Sequence, residues 1–191
     1  SSDMMSNYSV SDETNMKVVV PVTGINLNKA STTIAKGQTE KLTASLTPSD
    51  ASGNVQWSSN NPKVATVSND GTVTAKDTGK AIVTATMNGI SASCEVTVNN
   101  PLKGVSIVSA EGVTALKKGQ TTQLTAKLEP EDTTDKKTVT WTSSNDAVAT
   151  VSTSGMVTAV SDGTVTIYAK VGDKTAVSYT HLRAHETTLH L

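Results

Sequence analysis

The chain has 191 residues, a net charge of −1, one cysteine, no phenylalanine and only 3% aromatic residues. Lysines and acids are interspersed, so there is neither a basic stripe for nucleic acid nor a charged patch for a membrane surface. A lone cysteine excludes an intrachain disulfide, and the weight of Ser, Thr, Val and Ala favours strands, because β-branched side chains suit a pleated, half-buried surface.

Residues 1–13 are polar and without periodicity. Residues 1–20 are read as a linker or the end of a preceding module, because Met16-Lys-Val-Val-Val20 precedes Pro21 as Val96-Thr-Val98 precedes Pro101. The chain opens on Ser-Ser-Asp and is expected to be a piece of something longer. Its longest dense apolar stretch, Val18-Val-Val-Pro-Val22, is too short for a transmembrane helix or a signal-peptide core. Ile25 and Leu27 then alternate with polar neighbours, and Leu42, Ala44 and Leu46 do so after the Lys36-Gly37 turn. Val55 and Trp57 follow a loop from Pro48 to Gly53. Next come Val64 to Val67, a tight turn at Asn69-Asp70-Gly71, and Val73 with Ala75. The two clearest strands close the unit. Ala81, Val83, Ala85 and Met87 form one inward row; Ile90, Ala92, Cys94, Val96 and Val98 form the other. Between them Asn88-Gly89 has the chemistry of a type I′ hairpin turn. No amphipathic helical period competes. About seven short strands in ~80 residues predict an antiparallel β-sandwich.

The unit then repeats. Trp57-Ser-Ser-Asn-Asn-Pro-Lys-Val-Ala-Thr-Val-Ser-Asn-Asp-Gly-Thr-Val-Thr-Ala75 returns, ungapped, as Trp141-Thr-Ser-Ser-Asn-Asp-Ala-Val-Ala-Thr-Val-Ser-Thr-Ser-Gly-Met-Val-Thr-Ala159, 84 residues later. Upstream, Gly37-Gln38 answers Gly119-Gln120, Pro48 answers Pro130 and Pro21 answers Pro101. One of two small insertions puts Glu131-Asp-Thr-Thr-Asp-Lys-Lys-Thr-Val-Thr140 where the first copy has Ser49-Asp-Ala-Ser-Gly-Asn-Val-Gln56. A period near 80 is too long for a solenoid unit of about 20–50 residues and fits a small whole domain. The predicted domains are 21–100 and 101–182. In the short join Asn99-Asn100-Pro101-Leu102-Lys103, Pro101 fixes its own φ and biases Asn100 towards extended backbone. The join should be stiff and the two sandwiches end to end. Trp57 and Trp141 share a repeat position on a central strand, where a sandwich core takes a large ring. The predicted core is Leu42, Leu46, Trp57, Val83 and Val96 in the first copy, and Leu124, Leu128, Trp141 and Val165 in the second. Cys94 reads as a small buried hydrophobe rather than a nucleophile.

These residues carry a resemblance. Thr23-Gly-Ile-Asn-Leu-Asn28, Lys36-Gly-Gln-Thr-Glu-Lys-Leu-Thr-Ala44, Leu46-Thr-Pro48, Trp57-Ser-Ser-Asn-Asn-Pro62, Val64-Ala-Thr-Val67 and Gly71-Thr-Val-Thr-Ala75 resemble the bacterial immunoglobulin-like domain, group 2. The second copy is similar through Gly104-Val-Ser-Ile107, Gly119-Gln-Thr-Thr-Gln-Leu-Thr-Ala126, Leu128-Glu-Pro130, Trp141-Thr-Ser-Ser-Asn145 and Val148-Ala-Thr-Val151. The resemblance implies an Ig-like sandwich of the kind found in intimin- and invasin-like surface proteins, in secreted multidomain enzymes and in phage virion proteins. It implies no catalytic activity and transfers no binding motif.

After Tyr179 the chain changes character. All three histidines, His181, His185 and His190, and the only arginine, Arg183, lie there. His181 and His185 have the spacing of two zinc ligands on one helical face. The segment from Val177 to Thr187, however, resembles a translated sequencing-adapter read-through, so residues 183–191 are read as a non-native tail and assigned no metal. The aligned residues Thr180 and Leu182 stand where the first copy has Val96 and Val98, and the closing strand is expected to fray after about Tyr179.

Before the tail that begins after Tyr179 there is no histidine to serve a serine or cysteine nucleophile, no P-loop, no dinucleotide fingerprint and no Cys/His cluster. Asp50, Asp70 and Asp77 would serve calcium only if oxygen ligands converged from several directions; they are read as solvated loop acids. Tyr168 and Tyr179 align with Thr84 and Glu95 and should point outward, a thin platform for a sugar. The expectation is a non-catalytic spacer or adhesive module, without cofactor, at a bacterial surface or in a secreted multidomain protein. Its partners would be neighbouring Ig-like modules, with a host protein or glycan met through other domains. A phage virion module and a glycan- or host-binding module on a secreted enzyme are the alternatives.

Overall fold

The computed structural model describes residues 19–109 and 115–182, and among them every regular element is a strand. The first copy contains β1 (Gly24–Leu27), β2 (Ser31–Ala35), β3 (Thr39–Lys41), β4 (Ala44–Thr47), β5 (Gln56–Ser59), β6 (Ala65–Val67), β7 (Thr72–Ala75), β8 (Gly79–Met87) and β9 (Ile90–Asn99). The second contains β10 (Gly104–Ser109), β11 (Ala115–Leu116), β12 (Thr121–Glu129), β13 (Thr140–Ser143), β14 (Ala149–Val151), β15 (Met156–Ala159), β16 (Gly163–Val171) and β17 (Lys174–Leu182).

Each copy is a sandwich of two sheets. One sheet of the second copy runs β10-β12-β15-β14 and the other β11-β17-β16-β13. The first copy repeats this as β2-β9-β8-β5 facing β1-β4 and β3-β7-β6. There the strand corresponding to β12 is interrupted at Leu42-Thr43, where the Leu42 amide donates to Gly71 O at 2.9 Å and the Thr43 amide to Asn28 Oδ1 at 2.9 Å.

One pairing in each copy departs from the antiparallel expectation. β2 lies parallel to β9 over five residue pairs, from Ser31↔Glu95 to Ala35↔Asn99, and β11 lies parallel to β17 over two, Ala115↔His181 and Leu116↔Leu182. In the first copy the chain leaves the sheet of β1 after Leu27 and crosses to the other, so its second strand and its closing strand run side by side in one direction. The β-branched run Thr32-Thr33-Ile34 was the available signal, but a single apolar residue, Ile34, gave no alternation.

The core is the predicted alternation made solid. Ala81, Val83, Ala85 and Met87 face inward from β8, and Cys94, Val96 and Val98 from β9. Leu42, Val83, Val96, Leu124 and Val165 are all almost wholly buried, each worth roughly 1.5–3 kcal/mol of apolar transfer for a side chain of this size. Leu46 and Leu128 are only half-buried; Leu46 packs at the edge of a second cluster made by Val22, Ile25, Ala85 and Met87. Cys94 is buried opposite Val83, and burial pushes its thiol upward against the smaller opposing effect of Lys29, so it stays neutral. The Asn88-Gly89 turn takes positive φ at both residues, 50° and 81°, as a type I′ turn requires. The backbone of β17 stays paired with β16 as far as Gly163↔Leu182. This pairing runs past Tyr179, where the closing strand was expected to fray, since ladder bonds need no particular side chain. The remaining tail residues lie outside the described residues.

Trp57 and Trp141 are half-buried rather than central. Each faces inward and packs on the core from beneath a turn. Gly71, at φ 85°, lies so close that an added Cβ would stand 2.5 Å from Leu42 O and 2.8 Å from the Trp57 ring. Gly155, at φ 86°, has the same fit: 2.5 Å to Leu124 O and 2.9 Å to the Trp141 ring. The repeated glycine thus serves the indole as well as the turn. Gly37 also has positive φ, 84°, but nothing within 4 Å of an added Cβ.

Gly71→Ala and Gly37→Ala should therefore separate two effects. Both incur left-handed backbone strain of about 1–3 kcal/mol, but only Gly71→Ala also forces the turn off Trp57. Chemical denaturation should show the larger loss for Gly71→Ala; equal losses would mean that the turn and ring do not interlock. A second test concerns Asp70, in the same turn. It accepts hydrogen bonds from Lys41 Nζ at 2.6 Å, from the Ser68 hydroxyl, and from Thr72 Oγ1 at 3.0 Å and its amide at 3.2 Å. The Lys41 bond above all, then the Ser68 and Thr72 donors, hold its carboxyl well below the usual carboxylate range. A depressed folded pKa gives stability that is complete above the unfolded value and lost as pH falls through the folded one. The first copy should therefore weaken below about pH 4. Asp70→Asn should flatten that acid limb when melting is followed through first-copy amide signals, and an unchanged slope would contradict it.

Candidate functional site

The loop acids do not converge. Asp70 is committed to its own turn, Asp77 to Lys36, and Asp50 stands exposed between β4 and β5. Among the described residues no group of three His, Cys, Asp or Glu side chains could hold a metal ion. His181 stands on strand β17, not on a helix, and His185 lies outside the described residues. Tyr168 faces away from the core on β16, between Thr142 of β13 and Val177 of β17, and is half-buried. Tyr179 pairs with Thr166 on the same strands. A groove of about 690 Å³ runs along β10 and β12, lined by Val105, Ala126, Leu128, Glu131 and Lys137 among others. No aromatic ring lines it, so the flat stacking surface that a sugar usually needs is missing there.

Among the described residues, two of the three buried polar side chains, Asn100 and Thr133, lie between the sandwiches. Asn100 is 8% exposed and Thr133 4% exposed, unusual burial for polar side chains in a linker and a loop. The insertion noticed in the second copy folds over the join and satisfies it. The Thr134 amide donates to Asn100 O at 2.8 Å, and the Asn100 amide donates back to Thr134 Oγ1 at 3.0 Å. The Thr133 hydroxyl also donates to Asn100 O, at 2.9 Å. Asn100 Nδ2 donates to Asp132 Oδ1 at 2.8 Å, and the Leu102 amide to Asp135 Oδ2 at 2.8 Å. Pro101, with no amide to satisfy, sits between the two held residues.

Lys36 joins this loop from the first copy. Its amide donates to Asn99 O at 2.7 Å, which places the lysine-glycine turn beside the exit of β9. Its ammonium group donates to Asp77 Oδ1 at 2.8 Å and reaches Asp132 Oδ2 of the second copy at 3.4 Å. The Asp77 hydrogen bond is the main cause raising the lysine above its ordinary value; the same bond, then the Thr78 amide, lowers Asp77. These carboxylates are solvent-exposed and each ion pair is weak alone. The buried amide and hydroxyl bonds give the joint its geometry, and the lysine adds direction. The sequence showed the insertion and the proline but not the clasp. The pattern Asp132-Thr-Thr-Asp135, four hydrogen-bonding side chains in a row, was its one available signal.

The chain can be set beside known proteins on this basis. The bacterial Ig-like domain (group 2) matches it twice, over residues 21–98 and 101–180. It is 34% identical over 176 residues to Ice-binding protein 1 of Shewanella frigidimarina, covering 88% of this chain and 19% of that protein. It is 35% identical over 141 residues to an alpha-L-arabinofuranosidase of Bifidobacterium longum, covering 71% of this chain and 13% of the enzyme. With the Ig-like virion protein of Serratia phage KSP90 it shares 32% identity over 165 residues, 81% of this chain and 62% of the phage protein. The chain spans less than a fifth of the two bacterial relatives. Two matched domains in series, each with the same sandwich, place the chain in the bacterial Ig-like domain family, group 2.

Proposed function

We propose that the chain is a non-catalytic, load-bearing spacer in a bacterial cell-surface or secreted multidomain protein. The observation that carries this reading is the parallel pairing of β2 with β9 and of β11 with β17. Near its start each sandwich has a strand lying beside, and parallel to, its closing strand. Tension applied along the chain pulls two such strands in opposite directions along their axes, so the ladder bonds between them are loaded together in shear. A strand peeled from an antiparallel edge would lose its bonds one at a time. The joint suits the same purpose, because it holds Asn100 and Leu102 on either side of Pro101.

The relatives support a role indifferent to chemistry. Proteins named for ice binding, for arabinofuranosidase activity and for a virion share this module, and in the first two it is a small part of the whole. A host protein or glycan would be met by other parts of the protein, while the modules touch one another. The phage relative, of which the chain spans 62%, favours one second reading: the same spacer decorating a virion.

Small-angle scattering of the chain should show an elongated particle. Strands of nine or ten residues span about 30 Å each, so the two sandwiches in series should reach roughly 60–80 Å. A compact globule with the sandwiches side by side would contradict the spacer. Specific retention on a glycan array would instead make the module a binder.

A further inference from the structure

The clasp at the joint has a twin at the other end of the first copy. The Ser52 amide donates to Val20 O at 2.8 Å, and the Val20 amide donates to Ser52 Oγ at 3.3 Å. This is the exchange made by Thr134 and Asn100, and Val20 stands before Pro21 as Asn100 stands before Pro101. The loops turn alike, with the Ala51 amide on Pro48 O at 3.1 Å and the Thr133 amide on Pro130 O at 3.2 Å. In this alignment Asp50 takes the place of Asp132, the carboxylate that receives Lys36 across the joint. Asp50 is exposed and forms no ion pair among the described residues. The rim also differs from the filled joint in burial. Val20 is only half-buried where Asn100 is 8% exposed, and its neighbour Val19 is 66% exposed.

We propose that the rim formed by Val19, Val20 and the loop 49–53 is a docking surface for the end of another Ig-like sandwich. The partner it fits presents a lysine-glycine turn beside its closing strand, as Lys36-Gly37 does here, and its lysine meets Asp50 as Lys36 meets Asp132. An exposed carboxylate on the same rim as Val19 and Val20 suits such an end, which brings a lysine to the place that Lys36 takes at the filled joint. This rests on the spacer reading and specifies how its modules recognise one another: one residue before the proline, one hydroxyl and one carboxylate in the following loop, and one lysine from the partner.

The test transplants the rim into the joint that already exists. In the full chain, Glu131→Ser, Thr133→Ala, Thr134→Ser and Asp135→Gly convert 131–135 to the sequence of 49–53, with Asp132 in the place of Asp50. Hydrogen exchange at the Asn100 amide and residual dipolar couplings between the sandwiches are then compared with the parent. If the rim is a joint surface, Asn100 keeps its protection within about threefold and the relative orientation is unchanged. The Leu102 amide, having lost Asp135, should exchange faster and so report that the graft is in place. Asp132→Ala with Thr134→Ala is the comparison, and should cost Asn100 about tenfold in protection, the scale of a lost buried hydrogen bond. A graft that loosens Asn100 as far as this pair overturns the proposal, as does a pair that changes nothing. If the full graft unfolds the second copy, Thr134→Ser with Asp135→Gly gives the same reading. Because scattering judges the spacer separately, an elongated chain with a failed graft would remove this inference and leave that one standing.

Discussion

Two sheets facing each other without a disulfide must be held by the side chains between them, and everything else in each sandwich is arranged around that row. Leu42, Val83, Cys94 and Val96 fill the first core, and Leu124, Val157, Val165 and Ile167 the second. These are small or branched aliphatic groups, and a core of about this size leaves a marginal unit. Each copy therefore places its one indole where it contributes most, against the core and under a turn whose glycine leaves room for nothing else. The turn in turn accepts the Leu42 or Leu124 amide at 2.9 Å, so the ring, the turn and the interrupted or continuous inner strand form one unit.

That packing brings β2 beside β9, the arrangement on which the proposed spacer role rests. The core residues Ile34 of β2 and Cys94, Val96 and Val98 of β9 tie this pair to the facing sheet. The joint continues the same path. On that proposal, tension leaving β9 would pass through Asn99 and Asn100 into a loop that belongs to the next sandwich, and Lys36 spans the gap beside it. A Pro-containing join would be stiff in any case. Here it is also held from the side by hydroxyls and carboxylates that a random linker would not supply.

The parts legible in the sequence were those where one residue suffices. The β8–β9 hairpin could be read from its alternation and from Asn88-Gly89, and the repeat from Trp57 and Trp141. The crossing strands β2 and β11 were hidden, because Ser31-Thr-Thr-Ile-Ala35 and Ala115-Leu116 bury little and are placed by the neighbour they pair with. Leu46 and Leu128 look like core in one dimension and prove half-buried, since alternation shows which face a residue takes but not how fully that face is covered. The clasp at Asn100 was hidden for a similar reason. It joins residues more than thirty positions apart, and its partners are ordinary loop residues until the fold puts the linker beneath them.

The central claim is that the parallel pairs, β2 with β9 and β11 with β17, bear load in shear. Pulling single molecules by their ends tests it most directly. The account predicts two separate unfolding events, each releasing roughly 230–260 Å for about 80 residues. They should come at unequal forces, the lower from the second copy, whose parallel pair spans two residue pairs against five in the first. A single merged event, or extension at forces too low to give distinct events, would contradict it.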